Sequence, residues 1–165
     1  FTFIGSGKIL GGVPIQFVYM LVVIVISGLI LNRTKFGRNI YAVGDNKQAA
    51  SYSGINSRRV TMTVFVIMGI FASCAGILSS ARTFSAQFNV GEGSEMDAIS
   101  AVVLGGTSMS GGVGRLSGTI IGCIVIGVLN NGMNILGIDS SWQYVVKGVV
   151  VLIAVFIDYI KKMKD

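Results

Sequence analysis

Four stretches, residues 13–31, 60–81, 116–136 and 142–160, are apolar almost without interruption. Each is close to the roughly 20 helical residues needed to cross a hydrocarbon core about 30 Å thick. A backbone in lipid must satisfy its own hydrogen bonds, so runs of this length fold as helices. Only the last holds charged side chains, Lys147 and Asp158, both away from its centre. Charged residues make up 12% of the 165-residue chain, about half the fraction usual in a soluble domain. The 23 glycines, against a single proline, fit close helix packing in lipid. These features predict an all-α, polytopic integral membrane helix bundle, one transmembrane domain over residues 1–165. The chain begins at Phe1 and shows no charged leader or cleavage pattern, which we read as a fragment lacking an N-terminal part.

A fifth, shorter candidate is residues 97–112. The surrounding stretch, AISAVVLGGTSMSGGVGRLSGTIIG at 98–122, begins and ends like a membrane helix and turns glycine-rich in the middle. Lys and Arg favour the cytoplasmic side. If all five segments cross with the C-terminus inside, ten of the thirteen Lys and Arg lie inside: Arg33, Lys35, Arg38, Lys47, Arg58, Arg59, Arg115, Lys161, Lys162 and Lys164. If 97–112 only dips and returns, the last four of these move outside. The expectation is therefore five crossings, N-out and C-in, with a tight cytoplasmic turn at 111–115.

Residues 32–59 then form a long cytoplasmic loop. Asp45 followed by Gln48 is a capping-box pattern, and Gly54 is placed to end a helix in a left-handed turn. The predicted helix, 46–53, is about 12 Å long and marginal alone in water. Ala49, Ala50, Ser53 and Ile55 offer it a small-residue surface for a partner. A basic loop lying on anionic lipid is the alternative.

Several stretches in order, GRNIYAVGDNKQAASYSGIN, GSEMDAISAVVLGGTSMSGGVGRLSGTIIG, NNGMNILG and WQYVVKG, give the chain a family resemblance. It resembles the permease subunit of bacterial ABC sugar importers, in the ribose/xylose/galactoside branch, and would be the C-terminal half. VVLGGTS is ribose-like, while SGGVG and WQYVVKG are closer to galactoside permeases, so the sugar is left open. The resemblance implies a permease in the cytoplasmic membrane with no catalytic site and no cofactor. Its implied partners are a cytoplasmic ATP-binding subunit, an extracytoplasmic sugar-binding protein, a second permease copy and membrane lipid. It also implies that Gly44, Asp45, Asn46, Ala49, Ala50, Ser53, Gly54 and Ile55 form the segment that docks on the ATPase.

A sugar path needs uncharged groups that both donate and accept hydrogen bonds. Asn130, Asn131 and Asn134 in the third long run are candidates, with Thr107, Ser108 and Ser110 in the glycine-rich stretch. The alternative for the amides is bonding between helices. Glu92 and Glu95, in the outer loop at 82–96, are candidate contacts for the binding protein. Lys147, near Trp142 and Tyr144, is expected to snorkel to the interface, and Asp97 to cap the helix it opens. Gly69, Ser73, Gly76 and Ser80, and the pair Gly118 and Gly122, form small-residue stripes suited to close helix approach. Cys74 and Cys123 lie in apolar runs and are expected as buried thiols.

Other chemistry is weakly supported. Gly106 to Gly111 has the spacing of a phosphate-binding loop, but Gly112 stands where that loop needs Lys. The chain has no His, which removes the commonest general base and metal ligand. No metal site and no nucleic-acid partner are expected. The remaining rivals are an ion-coupled secondary transporter, which usually carries ionisable groups within its spans, and a non-transporting scaffold subunit.

Overall fold

The computed structural model describes residues 7–9, 12–85 and 91–164. The side chains of Asp158, Lys161, Lys162 and Lys164, and residues 86–90 of the expected outer loop, lie outside the described set. The chain falls into two compact units, residues 1–92 and 93–165.

In the first unit a two-residue antiparallel pair, β1 (Lys8–Ile9) with β2 (Val13–Pro14), leads into α1 (Ile15–Arg33). Pro14 sits immediately before the helix, where its missing N–H costs nothing. Thr34 then breaks the chain into α2 (Lys35–Asp45). Its hydroxyl oxygen accepts from the Gly37 N–H at 3.1 Å and donates to the Ile30 carbonyl at 2.6 Å. A Cβ on Gly37 would fall on the Leu31 and Ile30 carbonyl oxygens, so this corner is closed to any larger residue. Next come α3 (Lys47–Tyr52) and α4 (Ser57–Thr83). The expected loop at 32–59 is thus two capped helices and two short joints.

The second unit holds α5 (Ser94–Leu104), α6 (Leu116–Ile135) and α7 (Ser140–Lys164). Helix α5 packs against both α6 and α7. Its 11 residues are about 16 Å long, half a hydrocarbon core, so it is not a full helical span. The reason is local. Gly106 adopts φ +83°, and the N–H groups of Gly106 and Thr107 return to the carbonyls of Val103 and Val102. This is a glycine-terminated helix end.

Helix α5 nevertheless carries the chain along α6. Asp97, near its start, meets Asn130, while Gly105, just past its end, meets Gly118. The two helices therefore run antiparallel, and the glycine-rich turn at 105–115 lies at the α6 N-terminus. A Cβ on Gly118 would fall on the Gly105 carbonyl oxygen, and one on Gly122 on that of Ala101. The expectation for this pair holds: only glycine allows the backbones to touch. The other stripe behaves differently. Within the first unit nothing stands within 4 Å of where a Cβ would sit on Gly69 or Gly76.

Helices α1, α4 and α6 are long and apolar enough to cross a membrane, three such helices among the described residues. Their apolar side chains face outward: Phe17, Leu21, Val25 and Leu29 recur every fourth residue on α1 and are each about half exposed. Cys74 and Cys123, expected to be buried, are free thiols on exposed faces, because these helices bury only a narrow strip within their own unit.

The glycine contacts make a directional prediction. Gly118→Ala or Gly122→Ala forces backbones apart and should lower stability by about 1–3 kcal/mol. Gly69→Ala should be neutral or mildly stabilising, since alanine is the better helix former. Thermal midpoints of the full-length protein in detergent would separate the two classes.

Candidate functional site

Two regions bring the sequence candidates together, one in each unit. In the first, Asn46 caps α3: its side-chain oxygen accepts from the Gln48 and Ala49 N–H groups at 3.0 and 2.9 Å. Asp45 does not cap. It is the last residue of α2, and Asn46 is the first extended residue after it. The other end is as expected. Gly54 has φ +81°, and the N–H groups of Gly54 and Ile55 bond to the carbonyls of Ser51 and Ala50 at 3.0 Å each. The joint to α4 is fixed by Ser57, whose hydroxyl donates to the Lys47 carbonyl at 3.3 Å. Asn56 caps α4 by accepting from the Arg59 N–H at 3.0 Å. Both ends of a six-residue helix are thus tied, which offsets its weak intrinsic stability.

The exposed face of α3 keeps Ala49 and Ser53 from the expected small-residue surface but not Ala50. Ala50 is buried within its own unit, whereas Tyr52 is 90% exposed. Gly44, Asp45, Asn46, Ala49 and Ser53 are exposed as well, and Ile55 is half-buried. Beside them lies a cavity of about 600 Å³ lined by Lys47, Gln48, Ser51, Asn56 and Arg58 among others. Tyr52 was the signal to follow: an aromatic on a polar helix whose neighbours Ala49 and Ala50 are too small to cover it.

In the second unit Lys147 on α7 is 7% exposed. Its ammonium lies 2.6 Å from Asp97 Oδ1 on α5 and 5.6 Å from the Tyr144 ring centroid. Asn130 Nδ2 on α6 donates to Asp97 Oδ2 at 3.0 Å. A carboxylate flanked by an ammonium and an amide donor therefore joins three helices. Neither charge does what its position in the sequence suggested. Lys147 does not snorkel, and Asp97 forms no cap: Gly93 is the residue before α5, which has no side-chain cap. Tyr144 also covers Gly93, where a Cβ would come within 2.6 Å of its ring.

One turn along α6, Asn134 Oδ1 accepts from Gln143 Nε2 on α7 at 2.9 Å, and the same amide donates to the Ile138 carbonyl at 3.0 Å. Asn130 and Asn134 are therefore both engaged between helices. Asn131 is exposed. In the turn at 105–115 the chain closes on itself. The Ser108 N–H donates to the Val113 carbonyl at 3.0 Å, and the Ser110 N–H donates to the Ser108 hydroxyl at 3.3 Å. Thr107 packs against Gly114, where a Cβ would come within 3.0 Å of it. Ser110 is exposed, as are Glu92 and Glu95. No group of three or more metal-ligating side chains occurs among the described residues.

The arrangement is that of a membrane protein with a displayed polar helix and polar contacts between helices. Comparison with known proteins decides what kind. Residues 1–155 match the family model described as branched-chain amino acid transport system / permease component. The chain belongs to this permease family. The ribose import permease proteins of Bacillus subtilis and Escherichia coli K12 are each 48% identical to it over 158 residues, 96% of this chain and 49% of each relative. The xylose transport system permease protein of Haemophilus influenzae is 44% identical over 154 residues, 93% of this chain and 41% of that relative. No solved structure matches. The chain spans about half the length of the curated relatives it matches. Family and apolar helices together make it a stretch of a multi-pass inner-membrane protein.

The start of α7, which carries Gln143, is held by Asp139. The carboxylate accepts from the Ser141 N–H at 2.8 Å, and this bond, with the Ser141 hydroxyl, holds its pKa below the ordinary 3.8. A lowered folded-state pKa means the contribution is present above the ordinary value and is lost as pH falls through the lowered one. Protection of the Ser141 amide, measured against its intrinsic exchange rate, should therefore fall selectively as pH drops through that lowered value. Asp139→Asn should show no such pH step; a step that persists would assign it to another group.

Proposed function

We propose that this chain is part of the membrane permease of an ATP-driven importer for a pentose, with ribose the first candidate. The supporting observation is the 48% identity to ribose import permeases over 96% of the chain. The family description names amino acids, whereas the named relatives are ribose and xylose permeases, and the reading follows the relatives. The chain itself supplies no hydrolytic chemistry; a separate cytoplasmic ATP-binding subunit hydrolyses ATP, and an extracytoplasmic binding protein delivers the sugar. A second permease copy completes the pore, with the N-terminus outside and the C-terminus inside.

In this reading α3 is the coupling helix. Its rigid caps transmit motion rather than absorbing it, and Tyr52 enters a pocket on the ATPase. Large aromatic side chains that bury fully in a partner dominate such interfaces. Gly44, Asp45, Asn46, Ala49, Ser53, Gly54 and Ile55 shape the contact, while Ala50 seats the helix. Thr107, Ser108, Ser110, Asn130, Asn131 and Asn134 flank the sugar path, with Ser110, Asn131 and Asn134 the exposed members. Glu92 and Glu95 contact the binding protein.

Uptake of labelled ribose, measured in cells whose own ribose permease is deleted, tests the whole reading. The full-length protein with its ATPase and binding protein should restore uptake that stops when ATP is depleted; uptake driven by a proton gradient instead would overturn it. Tyr52→Ala should weaken ATPase retention about tenfold or more without lowering permease abundance. Asn131→Leu should cut uptake and leave the complex assembled.

A further inference from the structure

We propose that Asp97 and Lys147 act as one unit, a clamp that holds the free end of α5 in the bundle. The glycine crossing at its other end is the pivot. Helix α5 packs along α6 and α7, and a distinct contact fixes each of its ends. Near its C-terminal end the contact is backbone on backbone, Ala101 and Gly105 against Gly122 and Gly118, which has no side chain to rearrange. Near its start the contact is the 2.6 Å ion pair to Lys147, with Asn130 donating to the second carboxylate oxygen. At 11 residues the helix is too short to be held across the membrane by its own hydrophobicity, which takes about 20. Its attachment depends on these contacts.

The chemistry makes the two charges mutually dependent. Lys147 is 7% exposed, and a buried ammonium without its carboxylate is far costlier than the pair or than two neutral groups. Asp97 and Lys147 are therefore positioning residues: they set where the N-terminal half of α5 stands against α6 and α7. This inference is independent of which solute the permease carries.

The test uses the full-length permease in detergent, with native cysteines replaced by serine and one reporter thiol on α5. Ser100→Cys, at a site 1% exposed, reports near the clamp. Val103→Cys, 6% exposed, reports near the pivot. Asp97→Asn or Lys147→Gln alone should speed maleimide labelling of Cys at 100 about tenfold or more, and leave labelling at 103 within about threefold. The neutral pair, Asp97→Asn with Lys147→Gln, should restore slow labelling at 100. Equal acceleration at both positions, or at neither, would overturn the proposal, as would a double variant no better than the product of the two singles. If the single variants fail to accumulate in the membrane, abundance becomes the readout. Recovery in the neutral pair supports the clamp, and continued loss overturns it.

Discussion

The contact between Lys147 and Asp97 orders the second unit. Lys147 lies near the start of α7 yet is 7% exposed, and an ammonium turned into the bundle needs a counter-charge. Pairing fixes geometry. To place a carboxylate 2.6 Å from Lys147, α5 must lie against α7, and to satisfy the second carboxylate oxygen Asn130 must present its amide from α6. Three helices are registered by one anion. Only the Lys147 side of the pair is buried, the Asp97 side chain being 31% exposed, so removing one member leaves an ammonium without its counter-charge, while replacing both by apolar groups is often neutral. The pair thus contributes position more than net stability.

Around that contact the glycines act by omission. Gly105, Gly118 and Gly122 let α5 and α6 meet at their backbones, a distance at which Cα–H to carbonyl contacts contribute. Gly106 ends α5 by turning left-handed. The result is a half-length helix followed by a compact turn whose own N–H groups and hydroxyl satisfy one another. The turn thus meets much of its own hydrogen-bonding need internally. The same economy appears in the first unit, where Asn46 and Gly54 hold a six-residue helix rigid while leaving Tyr52 exposed.

Much of this was legible in the residues. The runs at 13–31, 60–81, 116–136 and 142–160 became α1, α4, α6 and α7 with small shifts at their ends, because apolar length is a local property. Gly54 and the pair at Gly118 and Gly122 were also readable, since each needs something only glycine supplies. Other features were not. Asp45 looked like a cap because its spacing to Gln48 was right; residues read as loop form a helix of their own that ends at Asp45, and the cap passed to Asn46. Asn130 and Asn134 could line a path or bond a neighbour, and the residues alone could not choose. In the fold both bond across helices.

The sequence by itself determined a membrane-embedded helical permease segment, the approximate extent of its four long apolar helices, and its family. Those follow from hydropathy, caps and residue identity, all read along the chain. Only the tertiary structure decided that Asp97 and Lys147, fifty residues apart, share one contact. It also decided that α5 stops at half a membrane's thickness and that Tyr52 rather than Ala50 faces outward. Each of these depends on which helix faces lie against one another. Long-range pairing of that kind leaves no periodic trace in sequence.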